Sequence, residues 1–302
     1  MLNIIQKRKY TYWISAVLTV ASIAVIGIWG LNFGIDFKGG TLMEVRFAKD
    51  PVPTSAEVTE SLADLSLKSL TIQGTDNNGM LLRYLASDEG KNDEVMAKLQ
   101  ALDPELTQLR VDFIGGSVSK QITKNAILGT LLASLAIALF IGYAFRRVSG
   151  TVTSWEYGIG AVVALLHDIL ITVGVFAVLG HFYGVEVGVP FIAALLTILG
   201  YSVNDTIVVY DRVRENLQRQ GKQADFEHLV NRSVNETLSR SINTSMTVII
   251  TLLAIVIFGG ESIRYFGVTL LLGVVFGTFS SIYVASAFLV TRYNMKRKAL
   301  NK

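Results

Sequence analysis

Cysteine is absent from all 302 residues, which excludes disulfides, thiolate metal sites and cysteine nucleophiles, so any soluble part must be held by its own core. Histidine is nearly absent too. His167, His181 and His228 are scattered without ligand spacing, and no metal site is expected. Charge is scarce at 17% of residues, against 51% apolar and a mean hydropathy of +0.47, a balance that belongs to membrane proteins rather than ordinary soluble ones. There is no nucleophile–base pair, metal cluster or phosphate loop, so neither an enzyme nor a cofactor is expected. A net charge of +3 and a pI near 9 would suit nucleic acid in a soluble chain, but here the useful question is on which side the cations lie.

What is present is a set of six nearly uncharged stretches of about 18 or more residues, each long enough to cross a bilayer as a helix. They are residues 10–30, 125–145, 157–180, 187–210, 241–260 and 265–291. The first is long for a signal peptide and lacks an A-x-A-like cleavage site before Asp36, so it reads as a retained helix. Lys7, Arg8 and Lys9 precede the first run, and Arg146 and Arg147 follow the second. Arg212, Arg214, Arg219, Lys222, Arg232 and Arg240 separate the fourth from the fifth, and Arg292, Lys296, Arg297, Lys298 and Lys302 follow the sixth. The short loops of the other face hold only Arg264. The positive-inside rule then puts both termini in the cytoplasm and the long segment after the first run outside. Three parts follow: 1–30, the N-terminus and first span; 31–122, an outer domain; and 123–302, the remaining five spans with a cytoplasmic loop at 211–240 and a cytoplasmic tail. Within that loop, 224–240 spaces Phe226, Leu229, Val230, Val234 and Leu238 on one face, which predicts a helix lying on the membrane surface.

The outer segment has soluble-domain composition. Residues 41–47 alternate as a strand, 55–65 read as a helix capped by Ser55, and 70–74 with 80–86 form a strand pair across an Asp-Asn-Asn-Gly turn. A helix at 92–102 and a strand at 106–114 complete a β-α-β-β-α-β order, which predicts a ferredoxin-like α+β domain between spans one and two of an α-helical membrane protein. Its two junctions carry one pattern, Asp36-Phe37-Lys38-Gly39-Gly40 and Asp112-Phe113-Ile114-Gly115-Gly116. Paired glycines serve tight turns, and they also serve as hinges.

Ionisable residues at membrane depth cost roughly 2.5–3.5 kcal/mol each on insertion scales and are functional candidates by default. His167, Asp168 and Asp205 are the three at depth. Asp205 stands in GYSVNDTIVVYDR, with Tyr201 one turn earlier and Asn204 and Thr206 beside it. It is either a carboxylate pinning two helices or a protonatable relay. Arg240, in LSRSINTS at the start of the fifth run, is the cation expected to reach it, and is otherwise an ordinary positive-inside anchor. His167 and Asp168 are adjacent and so point about 100° apart, which predicts that they face different neighbours. Gly273-x-x-x-Gly277 with Ser280 and Ser281 predicts a close-packing helix face.

GIDFKGG after the first run, GYSVNDTIVVYDRVREN, ETLSRSINTS and GTFSSIYVASA together resemble the SecF branch of the SecD/SecF family of protein-export membrane proteins, within the resistance-nodulation-division superfamily. The resemblance covers essentially the whole chain. It implies one six-helix repeat of a pair whose other half is a separate SecD chain, in the bacterial inner membrane. It further implies docking on the SecYEG channel, with YajC as a companion, and use of the proton motive force to draw exported polypeptides outward after SecA has begun the transfer. Asp205 and Arg240 match the family's functional carboxylate and arginine. Asn204, Tyr201, His167 and Asp168 are expected to support the relay, and Gly39, Gly40, Gly115 and Gly116 to act as hinges. Membrane lipid is an expected partner and nucleic acid is not. The competing readings are a translocon scaffold that uses no protons and a small-molecule exporter of the same superfamily.

Overall fold

The computed structural model describes residues 1–75, 77–85, 90–146, 152–220 and 225–300. Arg147, Lys222 and Lys302 of the cation pattern, Asp76 and Ala86 of the strand pair, and Ala224 at the head of the amphipathic stretch lie outside the described residues. In chain order the elements are α1 (Arg8–Trp29), α2 (Ile35–Lys38), β1 (Gly40–Arg46), α3 (Ser55–Ser61), β2 (Lys68–Thr75), β3 (Gly79–Leu85), α4 (Gly90–Leu102), β4 (Thr107–Ile114) and α5 (Gly116–Ala144). They continue with α6 (Ser154–Tyr183), α7 (Val189–Gln220), α8 (Phe226–Phe258), α9 (Glu261–Ser280), a π-helical segment (Ser281–Ala285) and α10 (Ser286–Leu300). They form two compact units, one of Met1–Asn32 with Leu128–Lys302, the other of Phe33–Ile127.

In the smaller unit the strands lie in the order β2-β3-β1-β4, every neighbouring pair antiparallel, which is the ferredoxin-like arrangement. Alternation puts Met43 and Val45 of β1 and Leu82 and Tyr84 of β3 on the buried side. Val58 and Leu62 from one helical face, and Val95 and Leu99 from another, each four apart, close that core. The first helix is capped by Thr54 and not, as the sequence reading had it, by Ser55. Thr54 Oγ1 accepts from the Glu57 amide at 3.3 Å and Glu57 Oε2 accepts from the Thr54 amide at 2.7 Å, a reciprocal capping box. Asp103, at the far end of α4, accepts from the amides of Ala48, Lys49 and Glu105 at 2.7, 2.9 and 3.1 Å and so fixes the loop leaving β1.

The larger unit is helical, and with α5 it supplies, among the described residues, six helices long and apolar enough to cross a membrane. Their apolar windows differ in burial. Half of each of those in α6, α7 and α9–α10 is buried, against 6% in α1 and in α5. The predicted surface helix at 224–240 is corrected: the described part is the first half of α8, one unbroken 33-residue helix with Asp225 as its N-cap. Its apolar stripe is buried in protein, with Phe226, Leu229, Val230 and Val234 in one cluster with Ile4, Ile5, Val213 and Leu217. An amphipathic stripe states that a face is covered, not whether lipid or protein covers it. Asn231 clinches the contact: its Oδ1 accepts from the Ile4 and Ile5 amides at 2.9 and 3.0 Å, and its Nδ2 donates to the Leu2 carbonyl at 2.9 Å.

The small-residue face of α9 meets α7. A Cβ added at Gly273 would overlap the Ile198 side chain, and one at Gly277 would stand 3.0 Å from Ser202 Cβ. Absence of side chains there brings the two backbones close, as the spacing of the glycines predicts.

Candidate functional site

That close approach places α7 hydroxyls and a carboxylate against their neighbours. Tyr201, Ser202, Asp205 and Thr206 fall on adjoining faces of α7, at offsets of one, three and four residues. Asp205 is 4% exposed. Its Oδ2 faces Ser245 Oγ of α8 at 3.4 Å and Thr278 Oγ1 of α9 at 3.5 Å, and those hydroxyls stand 2.5 Å from each other. Tyr201 donates its hydroxyl to Ser245 Oγ at 3.4 Å. Ser241 Oγ, one turn before Ser245, is buried and acts on the Asp205 carboxyl as a third hydroxyl, though without good hydrogen-bond geometry.

Each hydroxyl has a single hydrogen to give. Thr278 gives its own to the Val274 carbonyl at 2.8 Å, and Ser245 has to choose between Thr278 and Asp205. The Asp205 carboxylate is therefore thinly hydrogen-bonded for a buried group. Arg240 does not repair this. Among the described residues no ion pair within 4.0 Å joins it to Asp205; it is exposed on α8, and its charge acts on Asp205 through space. Asn204 is also exposed, on the side of α7 turned away from Asp205, because successive helical residues diverge by about 100°.

A second carboxylate is bound much more firmly. Asp168 of α6 is fully buried; its Oδ2 accepts from Ser202 Oγ of α7 at 2.6 Å and from Ser280 Oγ of α9 at 2.8 Å. Its Oδ1 lies 2.9 Å from Nδ1 of His167, which corrects the expectation that the two adjacent residues face apart. The Cα–Cβ vectors do diverge, but the side-chain torsions are enough to bring the imidazole and carboxylate back together. His167 Nε2 is buried and has no hydrogen-bond partner among the described residues, and the ring stacks on Phe279 at 6.2 Å.

Ser202 extends the Asp168 network along α7 to the π-helical segment, without reaching Asp205. Its hydroxyl is bound to Asp168, while its carbonyl receives Thr206 Oγ1 at 3.2 Å and Ser281 Oγ at 3.3 Å; Thr206 and Ser281 are themselves 2.8 Å apart. Ser281 opens the π-helical segment, a single-turn distortion of a kind that recurs at functional sites. Ser202, Ser245 and Thr278 were not singled out from sequence, and Ser280 and Ser281 were read only as packing residues. For Ser202 the available signal was a hydroxyl one turn from Asp205 within an apolar run; for the others there was only a hydroxyl within an apolar run.

The two glycine pairs differ. Gly39 and Gly40 have φ of +76° and +112°, and a Cβ on Gly40 would lie 2.5 Å from the Tyr84 carbonyl, so that junction requires glycine. Gly115 and Gly116 have no positive φ and open space where a Cβ would go.

Residues 94–295, which hold every site residue of the larger unit, match the family model for the protein export membrane protein SecD/SecF, C-terminal; residues 25–51, with Gly39 and Gly40, match the SecD/SecF GG motif. The chain is 40% identical over 307 residues to the protein translocase subunit SecF of Thermobaculum terrenum, covering 97% of this chain and 95% of that one. The chain belongs to the SecD/SecF family. A second SecD/SecF relative, the protein translocase subunit SecF of Anaerolinea thermophila, is 39% identical over 292 residues, covering 96% and 94% of the two chains. Among solved structures, the chain is similar to SecDF, a translocon-associated membrane protein from Thermus thermophilus, with a TM-score of 0.82 and 32% identity over 97% of this chain. It is also similar to SecDF in its super-membrane-facing form, with a TM-score of 0.69 and 31% identity. It spans 39% and 40% of those two SecDF chains. Like its SecD/SecF relatives, it is a multi-pass membrane protein.

Proposed function

We propose that this chain is the SecF-type subunit of a Sec-pathway export machine in the bacterial inner membrane and that Asp205 carries the proton that drives it. The likeness to SecF translocase subunits over almost the full chain, and to about two fifths of SecDF, supports a missing half supplied by SecD. SecYEG, YajC, exported polypeptide and, indirectly, SecA complete the proposed surroundings. The termini face the cytoplasm, the 31–122 domain faces outward, and the glycine pairs at its ends act as hinges.

The observation that carries the relay is the thin hydrogen bonding of the buried Asp205 carboxylate. A carboxylate kept dry with few donors takes up a proton readily, and an approaching cation restores its charge. Arg240 is the proposed cation, closing on Asp205 in another step of the cycle, with Tyr201, Asn204, His167 and Asp168 in support. One charge crossing 100 mV releases about 2.3 kcal/mol, roughly a fiftyfold shift of a two-state equilibrium.

The test is proton-dependent export by inverted membrane vesicles bearing Asp205→Asn or Arg240→Met at wild-type abundance. Both variants are expected to insert and bind SecD yet lose the stimulation that a proton gradient gives. Full stimulation in both would discard the relay and leave the scaffold reading.

A further inference from the structure

An opening of about 530 Å³ lies between the first turn of α1 and the end of α10, lined by Arg8, Thr291, Asn294, Met295, Arg297 and Lys298. Its volume suits a small ligand or headgroup. Thr291, Asn294, Met295 and Lys298 follow the i, i+3, i+4, i+7 spacing of a single helix face. Two other cations of α10 share a carboxylate: Arg292 and Lys296 reach Glu156 of α6 at 3.5 and 2.7 Å. The face that lines the opening keeps its charge. Among the described residues, Arg297 and Lys298 make no ion pair and the Asn294 amide makes no hydrogen bond. Arg8 uses Nη1 on Glu227 Oε1 at 2.6 Å and on the Ile5 carbonyl at 3.1 Å, which leaves its other nitrogens free to donate. Thr291 is fixed by a 2.9 Å hydrogen bond with Tyr12 of α1.

Three cations with one carboxylate among them, and an uncommitted amide, describe a receptor for an anion. The opening also sits at the ends of two membrane-crossing helices, and in the first two turns of α1, on another face, Tyr10 and Trp13 are 74% and 71% exposed and of the type that gathers at headgroup level. We infer that it binds the phosphate of an anionic phospholipid, with Arg8, Arg297 and Lys298 on the phosphodiester, Asn294 donating to the headgroup, and the acyl chains along the exposed apolar side of α1. A zwitterionic lipid brings its own ammonium against the three cations, and inorganic phosphate lacks the chains. The inference does not rest on the export role.

The experiment titrates the full chain, in a neutral detergent, with dioctanoyl phosphatidylglycerol, dioctanoyl phosphatidylcholine or inorganic phosphate, counting bound lipid by native mass spectrometry. Phosphatidylglycerol should bind at one high-affinity site at least tenfold more tightly than phosphatidylcholine, and millimolar phosphate should not displace it. Arg297→Ala with Lys298→Ala should weaken that site on the order of ten- to thirtyfold. Asn294→Leu, which changes no charge, should weaken it severalfold. Arg219→Ala with Arg232→Ala, an equal loss of charge elsewhere, should leave it within twofold. Equal weakening by the two double variants would reduce the effect to general surface charge and overturn the inference. So would full displacement by phosphate, or equal binding of the two lipids, the result expected if an acidic partner protein fills the opening.

Discussion

Two carboxylates buried in one helical unit are held so differently that opposite consequences follow from removing each charge. Asp168 receives hydroxyls from two other helices at 2.6 and 2.8 Å, whereas Asp205 has nothing nearer than 3.4 Å among its hydrogen bonds. Asp168→Asn sets an amide N–H against serine donors in a fully buried site, a fault worth about 1–3 kcal/mol. It should lower the thermal midpoint in detergent, followed by circular dichroism, while Asp205→Asn should melt close to wild type; the reverse order would exchange their roles. In the smaller unit, amide donors from Lys49, Ala48 and Glu105 hold the Asp103 carboxyl below the usual range. The sign follows: its stabilisation is complete above the unfolded value, about pH 3.9, and is lost as pH falls through the lower folded value. The protection factors of the Ala48 and Lys49 amides, taken against the intrinsic exchange rate at each pH, should therefore fall in acid, and Asp103→Asn should remove most of that dependence on pH. Asp168 and Asp205 were legible in sequence as acids within apolar runs. Their serine and threonine partners were not, because spacing assigns residues to a face of one helix without saying which faces meet.

At the level of whole elements, the six apolar runs did announce the membrane helices, but their ends were misplaced wherever a helix continues beyond its apolar part. α7 runs on to Gln220, and α8 begins at Phe226, fifteen residues before the apolar run expected from 241. Polar turns there keep helical propensity and pack on protein, and hydropathy is blind to both. The glycine spacing in α9 was legible because it depends on size alone. Gly273→Ala must displace Ile198 and should cost about 1–3 kcal/mol of overpacking, seen as a lower melting midpoint. Gly200→Ala meets nothing within 4 Å and should be neutral or slightly stabilising, by up to about 1 kcal/mol. Equal effects would mean that α7 and α9 pack less closely than described.

For the molecule as a whole, the β-α-β-β-α-β order of the smaller unit and the membrane character of the larger were both legible, since each rests on periodicity and length. The side of the membrane on which each part lies is a matter of charge asymmetry. Gln100 is exposed on α4, and a cysteine placed there is the only thiol in the chain. An impermeant maleimide should label it in intact spheroplasts; labelling only in inverted vesicles would invert the topology. The number of spans has a consequence of another kind. The described residues hold six helices long and apolar enough to cross a membrane. An even number of crossings returns a polypeptide to the side from which it set out, so a segment of this kind can be joined end to end with another by a short linker without turning either over. An odd number would forbid it. On the proposed pairing with SecD, one polypeptide holding both parts and two separate chains would then be interchangeable arrangements, differing by a stop codon and a linker.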